Sequence, residues 1–346
     1  MRNKFGAGDH VFEVVEGWGD LPADWRYVDV AGIDVDSADN VYVFNRGAHP
    51  IIVFDPQGRV LRTFGEGQFV GPHGIHVGPD DCLYCADAGD HTVKKYSANG
   101  RLLLTLGISG QASDTGYDRN VPITQRQVKQ VAGPFNGPTG VALGPAGEIY
   151  VSDGYGNARV HKFSPAGALL FSWGRPGRGP GEFWIAHGIA VDREGVVYIA
   201  DRENSRVQLF SPNGEYLSQW PWVYRPTSLY YDARDDVLFV SEFGYRAGPV
   251  PGQQLEPAGE PKPRARISVR ERGGRVLAWW GEGQDECTPG YFFAPHAVAV
   301  DSRGDLYVGE VVYSAGQRGK LISVDCHALQ KFRRAPGMAA VTKAGE

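Results

Sequence analysis

The chain has 346 residues, 42% of them hydrophobic and 22% charged, with a formal net charge of −5 at pH 7. That balance is enough for a large core; with no run of Lys or Arg, it argues against a nucleic-acid groove. The opening MRNKFGAGDHVFEVVEG lacks the apolar centre of a signal peptide, and no later stretch has the length of a membrane span. The expectation is a cytoplasmic, monomeric protein with no membrane or nucleic-acid partner.

The first element is HVFEVVEGWG at residues 10–19, which stands alone. Six similar units follow, opening at Ala31, His73, Thr139, His187, Thr227 and His296. Each has an apolar stretch, an acidic or Gly turn, a second stretch ending in an acid or amide, a third ending in an aromatic, and a Gly turn before a fourth. From the opening residue to that acid or amide is 14 positions in five units, ending at Asn45, Asp87, Asp153, Asp201 and Glu310. The fifth unit, 227 to 242, carries one extra residue in DARDD and ends at Glu242.

Alternating apolar residues bounded by PxG and xxG turns predict four short antiparallel strands per unit. Six four-stranded units make an all-β, six-bladed propeller, read as a single domain over 1–346. The sixth unit lacks a fourth strand after LQKF (329–332), whereas residues 10–19 resemble the other fourth strands. The N-terminal strand is therefore expected to close the ring, removing an exposed sheet edge.

Histidine opens every second unit. In a ring, His73, His187 and His296 then converge with threefold geometry on the central axis, an arrangement that suits a metal ion. Three neutral imidazoles without carboxylate or thiolate suit Zn²⁺ with an open coordination position, and other divalent transition metals fit the same ligand types. Propeller geometry puts the start of strand one and the end of strand two on one face. That face gathers Arg46, Gly154, Tyr155 and Arg202, and the three long insertions 110–137, 246–266 and 313–328. Pockets favour such places.

The remaining ionisable residues read as scaffold. The recurring acids are expected to accept backbone N–H bonds at the blade turns. His10, His76, His91, His161 and His327 read mostly as surface or turn residues, and His49 as a candidate lining of the mouth. Cys82 and Cys85 lie on a predicted strand where residues three apart face opposite sides. Cys287 and Cys326 lie in long loops, so all four cysteines are expected as free thiols. Trp173, Trp220, Trp222, Trp279 and Trp280 are expected to pack between blades.

The segments FNRGAHP (44–50), PHG (72–74), PFNGPTGVA (134–142), SDGYGNARV (152–160), AHGIAV (186–191), ADRENSRVQLF (200–210) and APHAVAV (294–300) together resemble the peptidyl-α-hydroxyglycine α-amidating lyases, which are six-bladed NHL-repeat propellers. The resemblance covers all six units in order. It implies a zinc-dependent carbon–nitrogen lyase acting on a small or peptide-derived hydroxylated substrate, cleaving an N-acyl-α-hydroxyglycine-like carbinolamide to an amide and glyoxylate. It assigns the zinc to His73, His187 and His296, and essential roles to Arg46 and Tyr155, with Arg202 a further active-site arginine.

There are departures. The family's structural calcium sits on two backbone carbonyls, matching Ile33 and Ile75, and on an aspartate whose place is taken here by Ala297. A family methionine is replaced by Ala294, and the paired cysteines of the secreted animal enzymes have no evident counterpart. No monooxygenase domain precedes the lyase-like region, so another protein is expected to make the substrate. Two other functions share the scaffold: a zinc-dependent lyase or lactonase acting on a small non-peptide substrate, and a non-catalytic interaction propeller.

Overall fold

The computed structural model describes residues 4–121, 126–245, 263–283 and 286–335. Five four-stranded antiparallel sheets and one five-stranded sheet are arranged as the blades of a propeller. Blade one is Val30–Val35, Val41–Asn45, Ile51–Phe54 and Val60–Phe64, and the strand-one segments of blades two to six begin at Pro72, Pro138, Ala186, Pro226 and Pro295. Each strand one therefore starts one residue before the predicted opening. Strands two and three are buried on both faces because each blade packs between two others, while the outermost strands are half exposed. The apolar clusters accordingly lie between blades: Tyr42, Phe44, Ile51 and Val53 of blade one meet Ile75, Leu83 and Cys85 of blade two.

The ring closes as the sequence predicts. His10–Val15 pairs antiparallel with Leu329–Arg334 of blade six, matching Val15 with Lys331 and Phe12 with Arg334. A further strand, Lys4–Ala7, pairs outside it and makes this sheet five-stranded. Phe12 is fully buried, stacking on Trp280 of blade five at 5.1 Å between centroids and meeting Phe239 edge-on.

The repeated acids are structural, as expected. Asp87 accepts Val70 and Gly71 N–H, Asp153 that of Asn136, Asp201 that of Trp184, and Glu242 that of Tyr224. Glu310 accepts Phe293 and Ala294, and Asn45 accepts Val28 through its side-chain oxygen. Each thereby satisfies the backbone just before strand one of its own blade, where no ladder partner exists.

Several expectations are corrected. His161 and His91 are buried within blade contacts rather than on the surface: His161 bridges Asp153 at 3.2 Å and Ser172 at 2.7 Å, and His91 accepts the Gly137 N–H at 3.0 Å. His10 is buried too, and His76 lies 3.0 Å from Asp34 on the neighbouring blade. His161, His91 and His76 tie together polar groups that blade packing removes from water. Trp220 and Trp280 pack between blades and Trp173 is half buried, but Trp222 and Trp279 are 68% and 49% exposed because their strand ends overhang the rim.

The cysteine reading also changes. Cys82 and Cys85 are free thiols, but Cys287 and Cys326 form a disulfide with their Cα atoms 4.8 Å apart. The link between blades five and six and the insertion before the last strand fold over the same end of blade six. That brings residues 39 apart in sequence into contact. Beside the disulfide, His327 lies 3.0 Å from Glu310 and contacts the Cys287 carbonyl at 3.2 Å. Among the described residues no helix is long and apolar enough to cross a membrane.

Two outcomes follow. Phe12→Ala is expected to lower stability by about 3–5 kcal/mol, measured by denaturant unfolding; a surface-like effect would mean that the N-terminal strand does not lock the ring. Burial lowers the His327 pKa, but the Glu310 hydrogen bond and charge outweigh it and leave it raised. The resulting stabilisation is complete below about pH 6.5 and is lost as pH rises through the folded pKa. The stability cost of His327→Gln should therefore shrink between pH 6 and pH 9, as read by thermal unfolding.

Candidate active site

In every blade the pairing of strand one with strand two shifts register around the opening residue: between Val30 and Gly32, Pro72 and Ile75, Pro138 and Gly140, Ala186 and Gly188, Pro226 and Ser228, and Pro295 and Ala297. A bulge releases one residue from the ladder and re-aims its side chain. Here it turns His73, His187 and His296 toward the axis. Their ring centroids are 4.7, 4.7 and 4.8 Å apart, and the candidate ligand nitrogens all lie within 4.8 Å of one another.

The other nitrogen of each ring fixes the tautomer. His73 Nδ1 donates to Thr139 O at 2.5 Å, His187 Nδ1 to Thr227 O at 2.7 Å, and His296 Nδ1 to Ala31 O at 2.9 Å. Each acceptor is the opening residue of the next blade. With the proton on Nδ1, the Nε2 lone pair is free for a metal. The close approach needs glycine: a Cβ at Gly74 would fall 2.6 Å from Thr139 O, and one at Gly188 the same distance from Thr227 O. In blade six that position is Ala297, and its histidine makes the longest of the three bonds.

All three imidazoles are buried. Burial, followed for His73 by His296 and Arg46 and for His187 by Arg202 and His73, holds both pKa values well below the ordinary imidazole range. Burial and then Arg46 push His296 to about 3. Three neutral nitrogen donors, all of known tautomer, fit a divalent transition ion and leave further coordination positions open.

Above the triad lies a cavity of about 410 Å³. Its walls follow the repeat. One residue near the end of each strand two donates its backbone N–H to a carbonyl preceding strand one: Arg46 to Asp29, Ala88 to Gly71, Tyr155 to Gly137, Arg202 to Ile185, Phe243 to Arg225 and Val311 to Ala294. All six of these donors line the cavity. Blades one, three and four supply the polar members, Arg46, Tyr155 and Arg202. The structure thus brings every predicted catalytic residue to the mouth predicted for it. The Tyr155 hydroxyl lies 2.9 Å from His73 Nε2 and 3.3 Å from His187 Nε2, directly over the triad.

Both arginines are anchored. Arg46 Nε donates to Pro72 O at 3.0 Å, and a terminal nitrogen lies 3.4 Å from the buried Asp29, which also accepts Tyr313 and Ser314 N–H. Thr139 and Thr227 hydroxyls bond the carbonyls of Ala186 and Pro295, which precede the next histidines. Blade one has Ala31 there, so the third such carbonyl, Pro72 O, is left to Arg46. Arg202 Nε is 2.7 Å from Glu203, whose other oxygen lies 3.1 Å from Arg225, and its guanidinium sits 5.7 Å over the Tyr155 ring. Burial disfavours the Arg202 charge, but Glu203 and then Tyr155 hold its pKa above the ordinary value.

Asp29, Glu203 and Arg225 escaped the sequence reading. The only hint was their place beside motif residues. Insertions 110–137 and 313–328 reach the cavity through Tyr117, Arg119, Arg126 and Arg318. Positions 122–125 of the first, and 246–262 of the insertion 246–266, lie outside the described residues. His49 does not line the cavity: it stacks on Trp25 at 3.8 Å and meets Glu66 at 3.3 Å.

The calcium ligands do not fit. Ile33 and Ile75 border the central channel below the triad, but Ala297 offers no side-chain oxygen there. The adjacent Asp34 already accepts Val35 and Val77 N–H and pairs with His76. A calcium ion needs six to eight oxygen ligands.

NHL-repeat models match residues 135–163 and 183–210. The chain is 32% identical over 238 residues (59% of its length) to the mouse peptidyl-glycine alpha-amidating monooxygenase. It is 34% identical over 191 residues (51% of its length) to peptidyl-alpha-hydroxyglycine alpha-amidating lyase 1 of Drosophila melanogaster. The chain spans 22% and 34% of the length of these relatives. A virginiamycin B lyase from Staphylococcus aureus shares the fold, with a TM-score of 0.53 at 13% identity, covering 86% of this chain and 82% of that one. The resemblance read from the motifs is borne out.

His73→Ala is expected to abolish stoichiometric binding of Co²⁺, read from its visible absorption. Gly74→Ala, whose methyl would press on Thr139 O and Gly140 Cα beside the supporting Nδ1 bond, should weaken binding by about 10–100-fold. Unchanged binding in both variants would dissociate the triad from the metal.

Proposed function

We propose that the chain is a zinc-dependent carbon–nitrogen lyase of the amidating kind, cleaving an N-acyl-α-hydroxyglycine-like carbinolamide to an amide and glyoxylate. The observation that carries this reading is the Tyr155 hydroxyl standing over three Nε2 lone pairs, in a cavity it shares with two anchored guanidinium groups. The kinship to amidating lyases supports it.

His73, His187 and His296 would hold the ion, and the chemistry it supplies is Lewis acidity toward an oxygen of the substrate. Arg46 and Arg202 bind the substrate carboxylate: each has one side of its guanidinium fixed by Pro72 O and Asp29, or by Glu203, leaving other N–H groups for a planar anion. That contact orients the adjacent carbinol carbon toward Tyr155. Tyr155 Oη relays a proton, receiving that of the hydroxyl and giving up its own as the C–N bond breaks. The bonding pair leaves with nitrogen, the carbinol carbon becomes the aldehyde carbon of glyoxylate, and the proton passes to nitrogen to give the amide. Atoms and charge balance without oxidant or water. Ala88, Phe243 and Val311 provide the apolar wall that keeps water from the site.

The Cys287–Cys326 disulfide favours maturation in an oxidising compartment over the cytoplasmic location expected from sequence.

Glyoxylate release from α-hydroxyhippurate tests the reading. Tyr155→Phe should keep the metal and lose about 10²–10⁴ in kcat, and Arg46→Ala should chiefly raise KM. Full turnover by Tyr155→Phe, or no turnover by the metal-loaded native protein, would reject the assignment.

A further inference from the structure

Six arginines line the cavity, Arg46, Arg119, Arg126, Arg202, Arg225 and Arg318, and among the described residues no Asp or Glu lines it. Two buried carboxylates behind the wall balance part of this charge: Asp29 pairs with Arg46, and Glu203 is shared by Arg202 and Arg225. The other three have no carboxylate partner among the described residues. Arg119 donates to Ala88 O at 3.1 Å, and Arg126 to Val121 O at 3.1 Å and Arg119 O at 2.7 Å. Arg318 stands on the short turn Gln317–Gly319. Insertions from two different parts of the ring thus place unneutralised guanidinium groups at one mouth.

A carbinolamide of the kind proposed above has one carboxylate, and Arg46 with Arg202 suffices for it. The surplus therefore calls for another ligand charge. Like charges gathered in a partly enclosed cavity repel one another, and an anion that reaches them relieves the repulsion while gaining bidentate contacts. We infer that the natural substrate is a dianion: a carbinolamide whose acyl part carries a second anionic group, held by Arg119, Arg126 and Arg318. The inference rests on the lyase reading for its reaction, but on cavity charge for its specificity.

A competing surface exists. A second cleft of about 370 Å³ adjoins the first at Tyr117, Arg126, Tyr155 and Ile185; Arg126 and Arg178 line it, but Phe183 and Trp184 in its wall suit an uncharged acyl chain. The two predict opposite preferences.

Calorimetry with the metal-loaded protein decides between them using unreactive analogues of equal length: N-succinylglycine, N-(3-phosphonopropanoyl)glycine and N-butanoylglycine. Either dianion should bind about tenfold or more tighter than the butanoyl compound at low ionic strength, and the margin should narrow with salt. The tighter of the two identifies the anionic group as carboxylate or phosphonate-like. Arg119→Ala and Arg318→Ala should each bring the ratio toward parity. Equal or tighter binding of N-butanoylglycine by the native protein overturns the inference, whatever the variants do. Turnover of the α-hydroxylated counterparts is read separately. Glyoxylate released without an anion preference removes only the specificity, and preference without glyoxylate removes only the reaction.

Discussion

Everything at the mouth depends on one hydrogen bond made three times, from an imidazole Nδ1 to the first carbonyl of the following blade. It fixes which nitrogen is bare, sets the ring plane, and ties each histidine-bearing blade to a neighbour that has none. The bulge frees the histidine, and in blades two and four the following glycine lets the chains approach. The threonine hydroxyls of blades three and five carry the linkage onward to the next histidine-bearing blade. Where blade one breaks this pattern with Ala31, the vacated acceptor becomes the anchor of Arg46. A guanidinium at the cavity wall is thus seated by the loss of a structural hydroxyl.

The same economy shapes the cavity wall. Six equivalent positions are clamped by the same backbone bond, and only their side chains differ. Three are apolar and three, Arg46, Tyr155 and Arg202, are polar. Rigidity therefore comes from the repeat, and function from what the repeat leaves free. The arginines on the insertions belong to neither set, and they give the opening a charge that the ring alone does not have.

Legibility in the sequence followed periodicity. Strand order, ring closure and the structural acids could be read because each recurs at a fixed interval, and any exception, such as the missing fourth strand of blade six, shows against five regular copies. Alternation of histidine is itself a period, so the triad was legible too. What could not be read has no period. Glu203 meets Arg225 and Cys287 meets Cys326 only because the ring returns distant segments to one place. His161 looked like a surface residue because one strand position does not reveal which neighbouring blade covers it. The insertions' arginines are ordinary solvent charges until the fold gathers them at one mouth, where Arg119 and Arg318 stay exposed.

The alternation of blades has an arithmetic consequence. A ring in which every histidine-bearing blade leans on one that has none can exist only with an even count. Adding or deleting a single blade would set two of a kind side by side and break the threefold placement of the imidazoles around the axis. The working unit is thus the pair, and the molecule is a threefold object written in six verses. Any drift in its length that keeps the alternation must come two blades at a time.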